Sequence, residues 1–235
     1  MVSMDKTSVS IGGRCCRLFV CGSPRFLLIQ PCGPEDDAGM ALEAEEIAER
    51  TGVPFALAFV RVRDWNSELS PWKAPAVFGS EDFGCGAAEL LKETKEQLIP
   101  ALCDMIKAPA TCAGTGIPVI LGGYSLAGLF SLWAAYASDR FSAVWAASPS
   151  VWFPGWVRFA SERKPFAEHI YLSLGKKEEK TKNRVMSTVG DCIRLQHQIL
   201  GPELSILEWN EGNHFRDPHI RCAKGAAWCI RACEP

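Results

Sequence analysis

The chain has no C-x-x-C pair, no excess of positive charge, no long apolar run and no internal repeat, and each absence removes a class of function. Its 11 cysteines are odd in number and scattered. Disulfide-redox sites and metal clusters draw on closely spaced pairs, so neither is expected, and no metal or other cofactor is expected either. Cys222, Cys229 and Cys233 fall on one face of a C-terminal helical stretch. They and most of the others read as reduced, small, core-filling side chains. With 25 Lys+Arg against 27 Asp+Glu the net charge is -2, which leaves no basic footprint for nucleic acid or for a membrane surface. A small-molecule partner is the expectation. No apolar run approaches the roughly 20 residues of a membrane span, and Met1 to Gly13 lacks a secretory apolar core after a basic start, so the expected compartment is the cytoplasm. Neither a Pro/Ser-rich linker nor a break in composition divides the 235 residues, and a single domain over 1–235 is expected.

What the chain does contain is an alternation of strand-like and helix-like stretches. Strands are expected at Arg17–Cys21 and Phe26–Gln30, joined as an antiparallel hairpin by Gly22-Ser23-Pro24. A helix follows from Met40 to Arg50, then a strand from Pro54 to Val62. The irregular stretch from Arg63 to Gly86 carries Trp65, Trp72, Phe78 and Phe83. Loops of that length inside a compact domain are unusual unless they bind something. These aromatics either line a pocket wall or bury the loop against the sheet edge, and both roles are open. A helix from Ala87 to about Lys107, bent at Pro100, leads to an apolar strand at Ile117–Leu121. Further strands are expected at Phe141–Ala147, His169–Leu174 and Leu204–Trp209, with helices over about 183–200 and 217–232. This order predicts an α/β protein with a mostly parallel sheet and helices on both faces.

The stretch Gly122-Gly123-Tyr124-Ser125-Leu126-Ala127-Gly128 sits between the central strand and an Ala/Leu-rich helical run. A serine there can occupy a sharp strand-to-helix turn that lifts its hydroxyl above the sheet, provided the residues two before and two after are small. Gly123 and Ala127 satisfy that requirement, so Ser125 is the candidate nucleophile. A serine nucleophile needs a base, and the base needs a carboxylate to hold its tautomer. His214 lies in the polar loop Asn210–Phe215 after the last strand, where a base belongs. His169, His197 and His219 lie in strand or helix stretches and read as packing or surface groups. The acid is Glu178 or Glu179, in the charged run after the penultimate strand, with Glu178 preferred because flanking lysines would keep it ionised. An oxyanion needs two N–H donors. The amide of Leu126 is the first, and Cys32, with Gly33 behind it, is the candidate for the second, since Pro31 has no N–H. Trp65 and Trp152 are candidate substrate contacts.

Gly123-Tyr124-Ser125-Leu126-Ala127-Gly128, Ser148-Pro149-Ser150-Val151-Trp152, Gly175-Lys176-Lys177-Glu178 and Gly212-Asn213-His214-Phe215 together resemble the esterase family of α/β-hydrolases that contains esterase D and the enterochelin esterase-like hydrolases. The resemblance runs from Phe26 to the final helix. It implies an α/β-hydrolase fold and serine hydrolysis of carboxylic esters, with Ser125, Glu178 and His214 at the triad positions. Two features depart from the family pattern: Ala127 replaces the commoner Gly, and Gln30-Pro31 stands where relatives often carry His-Gly or Asp-Gly. No segment between Phe141 and His169 is long enough for a large lid, so a shallow, open site is expected. Thioesterase or acyltransferase chemistry would use the same residues, and a non-catalytic binding protein on the same fold is the rival from another class.

Overall fold

The computed structural model describes residues 4–108 and 116–234. Among these, eight strands make one sheet: β1 (Met4–Ile11), β2 (Arg14–Cys21), β3 (Leu27–Cys32), β4 (Phe55–Arg61), β5 (Val119–Tyr124), β6 (Ala143–Ala147), β7 (His169–Gly175) and β8 (Ser205–Asn210). Their spatial order is β1-β2-β4-β3-β5-β6-β7-β8. The helices are α1 (Met40–Thr51), α2 (Trp65–Glu68), α3 (Ala87–Glu93), α4 (Ile99–Met105), α5 (Leu126–Ala137), α6 (Trp156–Ser161), α7 (Val189–Leu200) and α8 (Pro218–Ala232). From β4 and β3 through β8 every pairing is parallel, while β1 and β2 add an antiparallel margin.

Strand burial explains the layering. In β4, Phe55, Leu57 and Phe59 face one side of the sheet and Ala56, Ala58 and Val60 the other, and all are buried. A parallel strand covered on both faces reads as a continuous apolar run for this reason. On one face lie Ala44 and Ile47 of α1 with Cys222, Ala226 and Cys229 of α8. On the other lie Leu90, Leu102, Leu129 and Ile193 from α3, α4, α5 and α7. The ten described cysteines are all free thiols, six of them buried. Burial pushes the Cys16 thiol up to about 11 and the Cys32 thiol up to about 12, which matches their reading as packing residues. No described helix is long and apolar enough to cross a membrane.

The expected hairpin between β2 and β3 does not form. β2 turns back onto β1 through Gly12 and Gly13, both at positive φ (59° and 75°), and its other edge pairs with β4. β3 lies beyond β4. A Gly-Ser-Pro turn marks a change of direction without saying which neighbour is joined. The neighbour is set by burial, because Leu27, Leu28 and Ile29 are covered on both faces and need a central position. β1 itself escapes the apolar pattern because Asp5, Lys6, Thr7 and Ser8 are exposed, as suits an edge strand that must not pair further.

The expected helix over 87–107 is two helices joined by a π-helical turn at Thr94–Leu98. Pro100 lacks an N–H, and its ring would crowd the Glu96 carbonyl in a regular α-turn. Widening lets the Ile99 N–H donate to the Thr94 carbonyl instead. The helix expected from 183 begins at Val189, after 3-10 turns at Glu178–Lys180 and Met186–Thr188. Asn183 diverts the chain there, its Oδ1 accepting the N–H groups of Val185 and Met186.

The consequence for function is one crowded edge. Register pairs Tyr124 with Ala147, Ala147 with Ser173 and Gly175 with Asn210, so the carboxyl ends of β5 to β8 finish side by side. Ligands of open parallel sheets bind at that edge. The Trp145 indole of β6 lies across β5 because Gly122 has no side chain: a Cβ there would lie 1.7 Å from it. Trp145 is fully buried and has nowhere to move. Gly122→Ala is therefore expected to lower the urea midpoint, with a loss of about 1–3 kcal/mol from overpacking; an unchanged midpoint would refute this packing account.

Candidate active site

Ser125 joins β5 to α5 with φ 57° and ψ -119°, a conformation that side-chain-bearing residues rarely adopt. Three backbone hydrogen bonds hold it: its N–H donates to the Ala147 carbonyl, and its carbonyl accepts from the N–H groups of Ser150 and Leu129. A Cβ on Gly123 would lie 2.7 Å from the Ala127 Cβ. The same Cβ would lie 2.7 Å from the Ala127 carbonyl carbon, so position 123 must be glycine whatever stands at 127. With Gly123 filling that role the Ala127 methyl fits, which explains the relaxed G-x-S-x-A pattern.

Above this turn the loops after β7 and β8 meet. His214 Nε2 is 3.1 Å from Ser125 Oγ, and His214 Nδ1 is 2.8 Å from Glu178 Oε2. The backbone zips the two loops together, with the Lys176 N–H on the Asn210 carbonyl and the Lys177 N–H on the Gly212 carbonyl. Gly175 is required at this junction, since a Cβ there would lie 2.6 Å from the Gly212 carbonyl oxygen. The Tyr124 hydroxyl donates to the His214 carbonyl. Tyr124 stays a neutral phenol, because burial and then the Glu178 charge push its pKa up.

Glu178 is nearly buried, and desolvation alone would raise its pKa. The hydrogen bond and charge of His214, with donors from Ser148 and Gly175, outweigh that and hold the carboxyl below its usual range. Oε1 accepts from Ser148 Oγ, the Gly175 N–H and Arg221 Nη1, each at 2.7 Å. The expected contribution of flanking lysines is not what the structure shows: Lys176 pairs with Glu211. Glu179 turns away to Arg194 at 3.3 Å.

No protein-family description matches the sequence, and no curated protein matches it. Solved structures do. The siderophore hydrolase EstA from Aspergillus nidulans superposes with a TM-score of 0.72 at 17% identity, over 98% of this chain and 95% of that one. The enterobactin esterase FES from Shigella flexneri gives 0.68 at 14% identity, over 98% of this chain and 60% of that one. A ferulic acid esterase gives 0.61 at 11% identity, over 98% and 97%. The chain has the α/β-hydrolase fold.

Within that α/β-hydrolase fold, the sequence-selected Ser125, His214 and Glu178 come together, and the second oxyanion candidate does not. The Cys32 carbonyl accepts the Val62 N–H. N–H and C=O of one extended residue face the same neighbour, so the Cys32 amide faces β4, away from β5 and the serine turn. The next amide, Gly33, donates to Asp36 Oδ2 at 2.7 Å. Leu126 is as expected the first residue of α5, where N–H groups have no intrahelical acceptor. Trp65 is half-buried and lies beside Gly33, its ring 3.5 Å from where a Gly33 Cβ would be. Trp152 is 9% exposed under Phe78 and Phe83, so little of it is reachable. The long aromatic loop divides its roles: Trp72 donates to the Pro154 carbonyl and packs on Phe153 and Phe159, while Phe78 is 46% exposed.

Three site residues escape sequence reasoning: Tyr124, Ser148 and Arg221. Ser148, at φ 47°, directly follows β6, the strand beside the elbow's own. Arg221 carried a signal, since it is a charged residue next to Cys222 on the buried face of α8 and is itself 1% exposed. Among the described residues no group of His, Cys, Asp and Glu is arranged to hold a metal.

Because the folded pKa of Glu178 lies below the unfolded value of about 4.3, its ionisation stabilises the fold fully above that pH and the contribution fades as pH falls through the folded pKa. The stability difference between wild type and Glu178→Gln, from urea unfolding, is expected to narrow as pH falls below about 4.3. A difference that grows over that acid range would reverse the assigned sign.

Proposed function

We propose that the protein is a serine hydrolase that cleaves a small or polar carboxylic ester through an acyl-enzyme. The observation that carries this reading is the continuous chain Ser125 Oγ, His214 Nε2, His214 Nδ1 and Glu178 Oε2, at 3.1 and 2.8 Å. The fold likeness to a siderophore hydrolase, an enterobactin esterase and a ferulic acid esterase supports it. In this reading Ser125 attacks the ester carbonyl carbon while its proton passes to His214 Nε2. The Leu126 amide stabilises the oxyanion. The tetrahedral intermediate then collapses, the C–O bond to the alcohol breaks, and His214 returns the proton to the departing oxygen. Water repeats the sequence on the acyl-enzyme and releases the acid. Glu178 keeps the Nδ1–H tautomer and stabilises the imidazolium.

The site is read as shallow. The segment between β6 and β7 offers only α6, and its Trp156 is fully buried against Gln196 and Tyr136 rather than raised as a cover. Trp65 and the rim of Trp152, with exposed Phe78 and Phe215, supply apolar surface for the substrate. Thioester cleavage or acyl transfer would use the same residues, and a panel of acyl donors and acceptors separates them. No nucleic acid, membrane or cofactor enters the mechanism, and the location proposed is cytoplasmic.

A fluorophosphonate is expected to label Ser125, and hydrolysis of short p-nitrophenyl esters is expected to fall by about 10³-fold or more in Ser125→Ala and His214→Ala. Activity that survives both substitutions, or an unlabelled Ser125 with ligand still bound, would sink this reading in favour of a non-catalytic binding protein.

A further inference from the structure

Arg221 reaches the site from α8, and its side chain is 2% exposed. Nη1 donates to Glu178 Oε1 at 2.7 Å, to Ser148 Oγ at 2.8 Å and to the Tyr124 hydroxyl at 3.2 Å. Nη2 donates to the Glu211 carbonyl at 3.0 Å and the Asn213 carbonyl at 2.8 Å. One planar group thus touches the acid, the residue before the nucleophile, and the two carbonyls that bracket Gly212 just ahead of His214. We propose that Arg221 is a positioning residue that fixes the distance and orientation between Glu178 and His214 by clamping the two loops that carry them. The assignment of a catalytic purpose to that clamp rests on the hydrolase reading above.

A buried Arg–carboxylate pair serving only to balance charge is best satisfied by a fork in which two nitrogens meet two oxygens. Arg221 is not used that way. It meets Glu178 through one nitrogen and one oxygen, and spends the second nitrogen on backbone carbonyls of the base loop. Those carbonyl bonds do nothing for the Glu178 charge. They act on where His214 sits. The division of the carboxylate follows: Oε1 is occupied by Ser148, Gly175 and Arg221, so Oε2 is the oxygen left for His214 Nδ1. With Nδ1 donating to that oxygen, the Nε2 lone pair is turned toward Ser125. The space is built for the guanidinium, because a Cβ on Gly175 would lie 2.9 Å from Arg221 Nη2. Lysine would keep the charge but cannot present two nitrogens in a fixed plane.

The test compares Arg221→Lys and Arg221→Met in the full chain, each checked for folding by circular dichroism. kcat and KM for a short p-nitrophenyl ester are normalised to sites titrated with a fluorophosphonate, and the low-field proton of the Glu178–His214 hydrogen bond is followed by NMR. Misplacement of reacting groups by an ångström costs about 100-fold in rate. Both variants are therefore expected to lose kcat by about that factor with KM within about twofold, and to lose or broaden the low-field line. A charge-only role predicts Arg221→Lys near wild type, and kcat within about threefold of wild type with an unchanged proton line in that variant would overturn the proposal. Failure of both variants to fold would also overturn it, in favour of a purely structural role. Should the wild type neither label nor cleave esters, the hydrolase reading falls, and the NMR comparison decides the clamp by itself.

Discussion

A carboxylate taken out of water must be met by enough donors to replace its hydration, or it binds a proton and stops being an anion. Glu178 is that carboxylate here, and the edge of the sheet is arranged around its needs. Its donors come from the end of β6, the end of β7 and the interior face of α8, with His214 from the loop after β8. No single element could supply them. The parallel register that aligns the ends of these strands is therefore the precondition for an ionised Glu178, and an ionised Glu178 is the precondition for an oriented His214. Loss of one donor leaves the others with an undersatisfied charge, so the site stands or falls as a network.

The nucleophile rests on a different resource, which is strain held in place by small residues. Backbone in the region occupied by Ser125 costs on the order of 1–3 kcal/mol unless its surroundings over-determine it. Hydrogen bonds to Ala147, Ser150 and Leu129 do so from three directions. The packing beneath permits no alternative, since Gly123 lies against Ala127 and Gly122 against Trp145. Aromatic side chains finish the frame. Trp72, Phe83 and Phe153 lock the long loop onto the segment after β6, while Phe78 and Phe215 stay exposed. Arg14 anchors the same loop from below, ion-paired at 2.8 Å with both Glu68 and Glu93.

The residues that could be picked out beforehand were those whose chemistry or stereochemistry is local. Gly123-Tyr124-Ser125 between an apolar strand and an Ala/Leu-rich helix is a local pattern, and so is a histidine in a Gly-Asn loop after a strand. The apolar run of β4 announces burial on both faces without any knowledge of its neighbours. β1 was invisible because an exposed edge strand need not be apolar, and the π-helical turn before Pro100 was legible only as a bend. The pairing of β2 is not legible in the sequence for a physical reason: strand partners are chosen by burial across the whole sheet, and a turn sequence carries no record of that choice.

By itself, then, the order of residues determined the alternation of strands and helices, the strained serine turn and the pair of polar loops that follow the last two strands, because each depends on side-chain size, periodicity or backbone freedom over a few positions. The tertiary structure alone decided which glutamate faces the imidazole, which amides remain turned away from the serine, and that an arginine seven residues past the histidine closes the network. Those outcomes depend on distances between segments far apart in the chain. Such distances exist only once burial of the sheet's two faces has brought the segments together.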